Sequence, residues 1–352
     1  MLTSSAPQIS IQRPMMPPPM FFAAGGMGVL ANMMENSGSD NQRQAAQVVF
    51  EACSDNPHNQ QLLHESGAMQ KMVQLLQTGS TQEVKSRAAE AIAAACAQNR
   101  DNRREALQAN ALEPLVNMLE ASNVQTQESA ANALANVINS RETAGMLPET
   151  GIGGHVLTET GQNALHRLGG VRKLVHLVET GVPRVKEAAA AAIANAMLDN
   201  ESNRIAFQEA GGVGPLVNLL KSGDINAQEH ATTALWNAMV DNEATRIDLI
   251  NHPQGLPLLI QVLWSGTEVT KESAAGAIWK ACVADTSIKD RLFVAIPALV
   301  QLLENGSANG QTQAAGALRG VLINSTLNKQ ELNRCGGISA LVSILISASY
   351  FL

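Results

Sequence analysis

Apolar positions along this chain recur at helical spacing, and the helical stretches themselves recur. Residues 211–220 read GGVGPLVNLL, 169–178 read GGVRKLVHLV and 336–345 read GGISALVSIL. In each, large apolar residues fall three, four and seven apart, which places them on one helix face. Looser copies are GGMGVLANMM from Gly25, GAMQKMVQLL from Gly67, NALEPLVNML from Asn110, VAIPALVQLL from Val294 and the run LPLLIQVL after Gly255. Starts at 25, 67, 110, 169, 211, 254, 294 and 336 give steps of 42, 43, 59, 42, 43, 40 and 42. A nearly fixed period of this size is the signature of a repeat array.

A second landmark recurs within each unit. It reads AANALAN at 130–136, AAAAIAN at 189–195, ATTALWN at 231–237, AAGAIWK at 274–280 and AAGALRG at 314–320. Weaker copies are AAQVVFE at 45–51 and AAEAIAA at 88–94. Each unit thus predicts a glycine turn, a short helix, a second helix built on the LVxLL run, a Gly/Ser/Asn loop and a longer Ala-rich third helix. Small alanines let third helices approach closely. One unit cannot bury its apolar face alone, whereas stacked units share a continuous core, so the expected fold class is all-α, an α-solenoid.

These motifs resemble the armadillo repeat of the catenins and of the vacuolar and plant armadillo proteins. The resemblance covers roughly 25–352, about seven repeats and a C-terminal partial one. It implies a right-handed superhelix of three-helix repeats, whose third helices line a concave groove that holds partner proteins as extended peptides. In that family the last residue of the AAxALxN motif faces the groove. Here Asn136, Asn195 and Asn237 occupy this ladder position in consecutive repeats. Asn is a mediocre helix former, because its side chain competes for backbone hydrogen bonds. Two roles are open for it: gripping a peptide backbone, to which an amide can both donate and accept, or bridging neighbouring helices. The outer copies carry Glu51, Ala94, Lys280 and Gly320 instead.

One relative is excluded. Nuclear import adaptors of this fold carry Trp four residues before the ladder Asn. The corresponding positions here are Gln47, Glu90, Asn132, Ala191, Thr233, Gly276 and Gly316. Trp236 and Trp279 stand one residue before the ladder position, and the second is followed by Lys280. They serve either as interface anchors or as packing against the next helix. Eight residues before the ladder stand Glu128, Glu187, Glu229 and Glu272. A row of carboxylates favours a basic, extended partner segment. The same residues also suit the first turn of the third helix, where they complement the macrodipole and complete capping boxes such as Asn226-Ala-Gln-Glu229.

Composition narrows the function classes. The 352 residues carry a formal charge of −7, with 45% hydrophobic and 3% aromatic residues. An acidic chain lacks the basic footprint of a nucleic-acid binder. Cys53, Cys96 and Cys282 each fall two residues after a ladder position, a repeated slot for a small apolar side chain rather than a redox or metal framework. The histidines form no HExxH pattern, and GIGG at 151–154 lacks the Lys-Ser/Thr of a phosphate loop. No catalytic residue, metal site or cofactor is expected.

Residues 1–24 read as a disordered Met/Pro-rich leader without a signal-peptide core. The apolar run 338–352 is short for a membrane span. The long step of 59 marks a loop insertion over about 141–162. The expectation is therefore a cytoplasmic or nuclear scaffold or adaptor that binds other proteins. The alternatives are the substrate-recognition part of a ubiquitin ligase, or a component of a cytoskeletal or ciliary assembly.

Overall fold

The computed structural model describes residues 25–139 and 160–349, and every regular element among them is helical. The leader and positions 141–159 of the insertion lie outside the described residues. The first helix after the insertion, Gly161–Arg167, is capped by Thr160. Positions 160–162, expected as loop, thus belong to a helix and its cap.

One repeat shows how sequence sets each boundary. Asn200 caps the first helix, Glu201–Glu209, by accepting from the Asn203 backbone N–H. Such a cap stabilises a helix by about 1 kcal/mol. Gly211 then takes φ 66°, the left-handed conformation that ends helices with little cost only at Gly or Asn. The second helix, Val213–Ser222, buries Val213, Leu216, Val217, Leu219 and Leu220. Asp224 caps the third helix, Ile225–Met239, through the Ala227 N–H. Asp241, at φ 48°, turns the chain into the next first helix, Glu243–Asn251, capped by Asn242.

The glycine therefore follows the short helix, where the sequence pattern placed it before. It lies between a first helix already formed and one uninterrupted second helix. Gly67, Gly169 and Gly336 repeat this left-handed turn, and Asn110 (φ 59°) replaces glycine in the third repeat. Two repeats depart: before Gly255–Ser265 the turn residue Gln254 has φ −104°, and the repeat that starts at Val294 has no such turn. There a 3-10 segment, Thr286–Ala295, stands where a first helix and its glycine turn would be, and runs directly into Ile296–Asn305.

The third helices form the spine. In chain order they are Ser39–Cys53, Gln82–Cys96, Val124–Val137, Pro183–Met197, Ile225–Met239, Glu268–Ala284 and Ala308–Leu322. They define repeats one to seven, and each packs on the next. From the second repeat to the seventh, the residue three before the ladder position is alanine and fully buried: Ala91, Ala133, Ala192, Ala234, Ala277 and Ala317. Helix axes 8–10 Å apart leave no room there for a larger side chain. The second helices supply the leucines and valines that complete one continuous core.

Candidate functional site

The third helices present one partly exposed stripe. Along Ile225–Met239 it carries Glu229, Trp236 and the ladder Asn237, with Thr233 between them. The offsets of four, seven and eight residues from Glu229 keep all of them on one helix face. Equivalent stripes repeat down the spine.

The ladder asparagines bridge neighbouring repeats. Asn136 Nδ2 donates to the carbonyl of Ala93, Asn195 Nδ2 to Ala135, and Asn237 Nδ2 to Ala194, each at 2.9 Å. The acceptor always stands one residue before the ladder position of the preceding repeat. Its chemistry follows from helix ends, because the last four carbonyls of a helix have no intrahelical partner. In Gln82–Cys96 all four are accounted for. Ala93 receives Asn136, Ala94 receives the Ala97 N–H, Ala95 receives Asn102, and Cys96 receives Arg103. The ladder Asn, in the last turn of its own helix, thus serves as a C-cap for the helix before it.

Departures from the ladder have local reasons. In repeat two, an Asn at Ala94 would meet the Phe50 carbonyl, which already accepts from the backbone N–H and the hydroxyl of Ser54. In repeat seven, a Cβ at Gly320 would lie 2.6 Å from Cys282 Cβ, so only glycine fits.

The carboxylates also reach across repeats. Glu229 Oε2 accepts from Thr267 Oγ1 at 2.6 Å, and Thr267 is the N-cap of the following third helix. Glu272 accepts from Ser307 Oγ, the next N-cap, and from Asn309 Nδ2 at 2.7 Å. Glu128 pairs with Arg184 at 3.1 Å. Glu187 makes no hydrogen bond or ion pair among the described residues. These glutamates occupy the fifth helical position rather than the first turn. The cap of Ile225–Met239 is Asp224 and not Asn226, so the expected capping box does not form. Burial raises the Glu128 carboxyl above its ordinary range; Arg184 opposes the shift, and Glu90 and Glu187 add to it.

Both tryptophans sit in notches of the next repeat. A Cβ at Gly276 would lie 2.5 Å from Trp236 Nε1, and one at Gly316 would lie 2.5 Å from Trp279 Cδ2. The indoles therefore lie over the glycines four residues before the next ladder position. Lys280 Nζ stands 5.4 Å from the Trp279 ring centroid, a cation–π contact.

Comparison with known proteins supports the armadillo-type fold. The Armadillo/beta-catenin-like repeat matches residues 199–240 and 292–320. The fold is an armadillo-type α-solenoid. The SIL1/FES1/HPBP1 C-terminal domain also matches, over residues 19–126. An engineered protein of known crystal structure aligns with 91% of this chain and 74% of its own, at TM-score 0.73 and 25% identity. A designed armadillo repeat protein aligns with 72% of this chain and 99% of its own, at TM-score 0.61 and 24% identity. A similar design, solved in complex with the peptide (KR)4, gives TM-score 0.58 at 24% identity.

The armadillo array holds a second asparagine column that the sequence reading missed. Asn59, Asn102, Asn203 and Asn328 lie at the third position of first helices, and all are buried. Asn203 Nδ2 donates to Ala196 O at 2.8 Å and to Gln162 O at 3.0 Å, tying its own repeat to the preceding one. Asn102 does the same with Ala95 and Gln60, and Asn328 with Val321 and Lys289. The signal was present as Asn or Ser followed three residues later by Asn, after the third helices of repeats one, two, four and seven. The cysteines behave as packing residues. Burial pushes the Cys53 and Cys282 thiols up to about 12 and the Cys96 thiol higher, which removes thiolate reactivity at neutral pH. Among the described residues no His/Cys/Asp/Glu group is arranged to hold a metal, and no helix is long and apolar enough to cross a membrane.

Proposed function

We propose that this chain is a non-enzymatic scaffold that binds other proteins by holding a peptide segment along the stripe of its third helices. Armadillo arrays commonly mediate protein–peptide binding, and a designed relative was solved with the basic peptide (KR)4. The observation that carries the reading is the state of the ladder amides. Each uses one N–H to cap a neighbouring helix. An amide has two N–H donors and an acceptor oxygen. The bonded N–H fixes the side chain, and the other N–H and the oxygen remain to pair with the backbone of an extended chain. Carboxylates along the same stripe favour a basic segment.

The test is a fluorescence-anisotropy titration of labelled (KR)4 against the parent and the Asn195→Ala/Asn237→Ala variant. Each lost hydrogen bond is worth about 1 kcal/mol, so the expected weakening is at least about tenfold. Circular dichroism verifies that the variant stays folded. Equal binding by both proteins would remove the stripe as the site.

A further inference from the structure

Repeats four to seven differ from repeats one to three along the stripe, with carboxylates at one end in repeats four to six and apolar residues at the other in repeats five to seven. At the N-terminal end, Glu187, Glu229 and Glu272 follow one another, and none is paired with a cation among the described residues. Repeats one to three offer Arg43, Ser86 and Glu128 there, and Glu128 is neutralised by Arg184. At the C-terminal end, the residue three after the ladder position is Val240, Val283 and Ile323 in repeats five to seven. Val283 and Ile323 are 62% and 45% exposed. The counterparts in repeats one to three are Ser54, Ala97 and Asn139. The partly exposed indoles of Trp236 and Trp279 lie one helical turn before Val240 and Val283, which extends the apolar edge inward.

We infer that repeats four to seven form a two-edged docking surface for a segment of another protein with basic side chains on one side and large apolar side chains on the other. This rests on the reading that the stripe binds peptides, and it specifies the peptide. The two edges lie eleven residues apart along each helix, roughly 16 Å at 1.5 Å per residue. An extended segment running across the helices sends successive side chains to opposite sides. Alternating basic and apolar residues therefore face the carboxylates and the apolar edge respectively. Neither edge imposes a strict register, because charge acts over several ångströms and the apolar row spans adjacent repeats. Orientation is reinforced by Lys280 and Arg319, cations toward the C-terminal side that repel basic residues from the apolar edge.

The experiment titrates the full chain with three labelled ten-residue peptides: alternating Lys-Leu, Lys-Ser and Glu-Leu. The Lys-Leu peptide should bind at least tenfold tighter than either control. The Val283→Ser/Ile323→Ser variant removes only exposed apolar side chains without adding charge, and its melting curve verifies the fold. It should erase the advantage of Lys-Leu over Lys-Ser and leave Lys-Ser binding as it was. Equal affinity for Lys-Leu and Lys-Ser, or an advantage that survives in the variant, overturns the inference. In that event, Lys-Ser binding that still weakens in Asn195→Ala/Asn237→Ala shows that the stripe reading stands. Binding that ignores both variants, or no binding by any peptide, removes both.

Discussion

The two asparagine columns make the same bond in different settings. Asn102, Asn203 and Asn328 sit at the turn between third and first helices, wholly buried, and donate both N–H groups to carbonyls. Asn195 and its equivalents sit on the stripe and donate one. Both columns cap helix C-termini, and both join adjacent repeats. They differ in what remains. The buried amide has no donor left, so its role ends with stability. The stripe amides keep an N–H and an oxygen; Asn136 and Asn195 are partly exposed, and Asn237 is 6% exposed. A polar residue in this array becomes a recognition group when its structural bond uses less than its capacity.

The sharpest way to break that comparison is Asn203→Ala. The carbonyls of Gln162 and Ala196 both lose their donor inside the protein, and each unpaired buried group costs about 1–3 kcal/mol. The expected loss is about 3 kcal/mol in urea unfolding followed by far-UV circular dichroism. Peptide affinity of the folded protein should stay unchanged. Asn237→Ala is the matched change. One carbonyl, that of Ala194, loses its donor, for a loss of about 1–2 kcal/mol accompanied by weaker binding of (KR)4. If Asn203→Ala costs no more than Asn237→Ala, the distinction between the columns fails.

The repeat period, the third helices and the stripe were legible because they rest on side-chain size and spacing. Alanine at every close helix contact and Val/Leu at every second-helix face leave a pattern that needs no coordinates. The partners of polar groups were not legible in the same way. Glu229 reads as a residue of its own helix N-terminus, yet its oxygen meets Thr267 of the next repeat. That contact depends on how far successive third helices are offset, which no single repeat encodes. The buried asparagines were missed for a related reason. An Asn three residues after an N-cap looks like an ordinary polar residue of a first turn. Its importance appears only once the preceding repeat is packed against it.

Trp236 and Gly276 sharpen the comparison at the other end of the array. The absent tryptophans at the fourth position before each ladder residue read as a loss of aromatic surface. In the structure the indole of one repeat covers the glycine of the next. Gly276→Ala places a methyl group where the indole lies and should turn Trp236 outward, at a cost of about 1 kcal/mol, near the low end for overpacking. Tryptophan emission should shift to longer wavelength, over the background of Trp279 and the half-exposed Trp264. An unchanged spectrum with unchanged stability would mean that the indole does not fill the notch in solution.

The smallest expected effect concerns Glu128, a stripe carboxylate whose pKa lies above its usual range. Burial is the main cause, and the neighbouring Glu90 and Glu187 carboxylates add to it while Arg184 opposes it. The folded pKa lies above the unfolded one, so between the two values the folded state binds more protons. Stability then falls as pH rises through that window, just above the ordinary glutamate range, and stays lower at neutral pH. Glu128→Gln removes this contribution. Its ion pair with the half-exposed Arg184 is worth little in compensation. The variant's melting temperature should therefore decline less than the parent's as pH rises from about 4 to about 7. The difference between the two curves isolates this one group from the other carboxylates. A parent that gains stability relative to the variant as pH rises would show that Arg184 outweighs burial, and that this rung of the stripe is a structural ion pair.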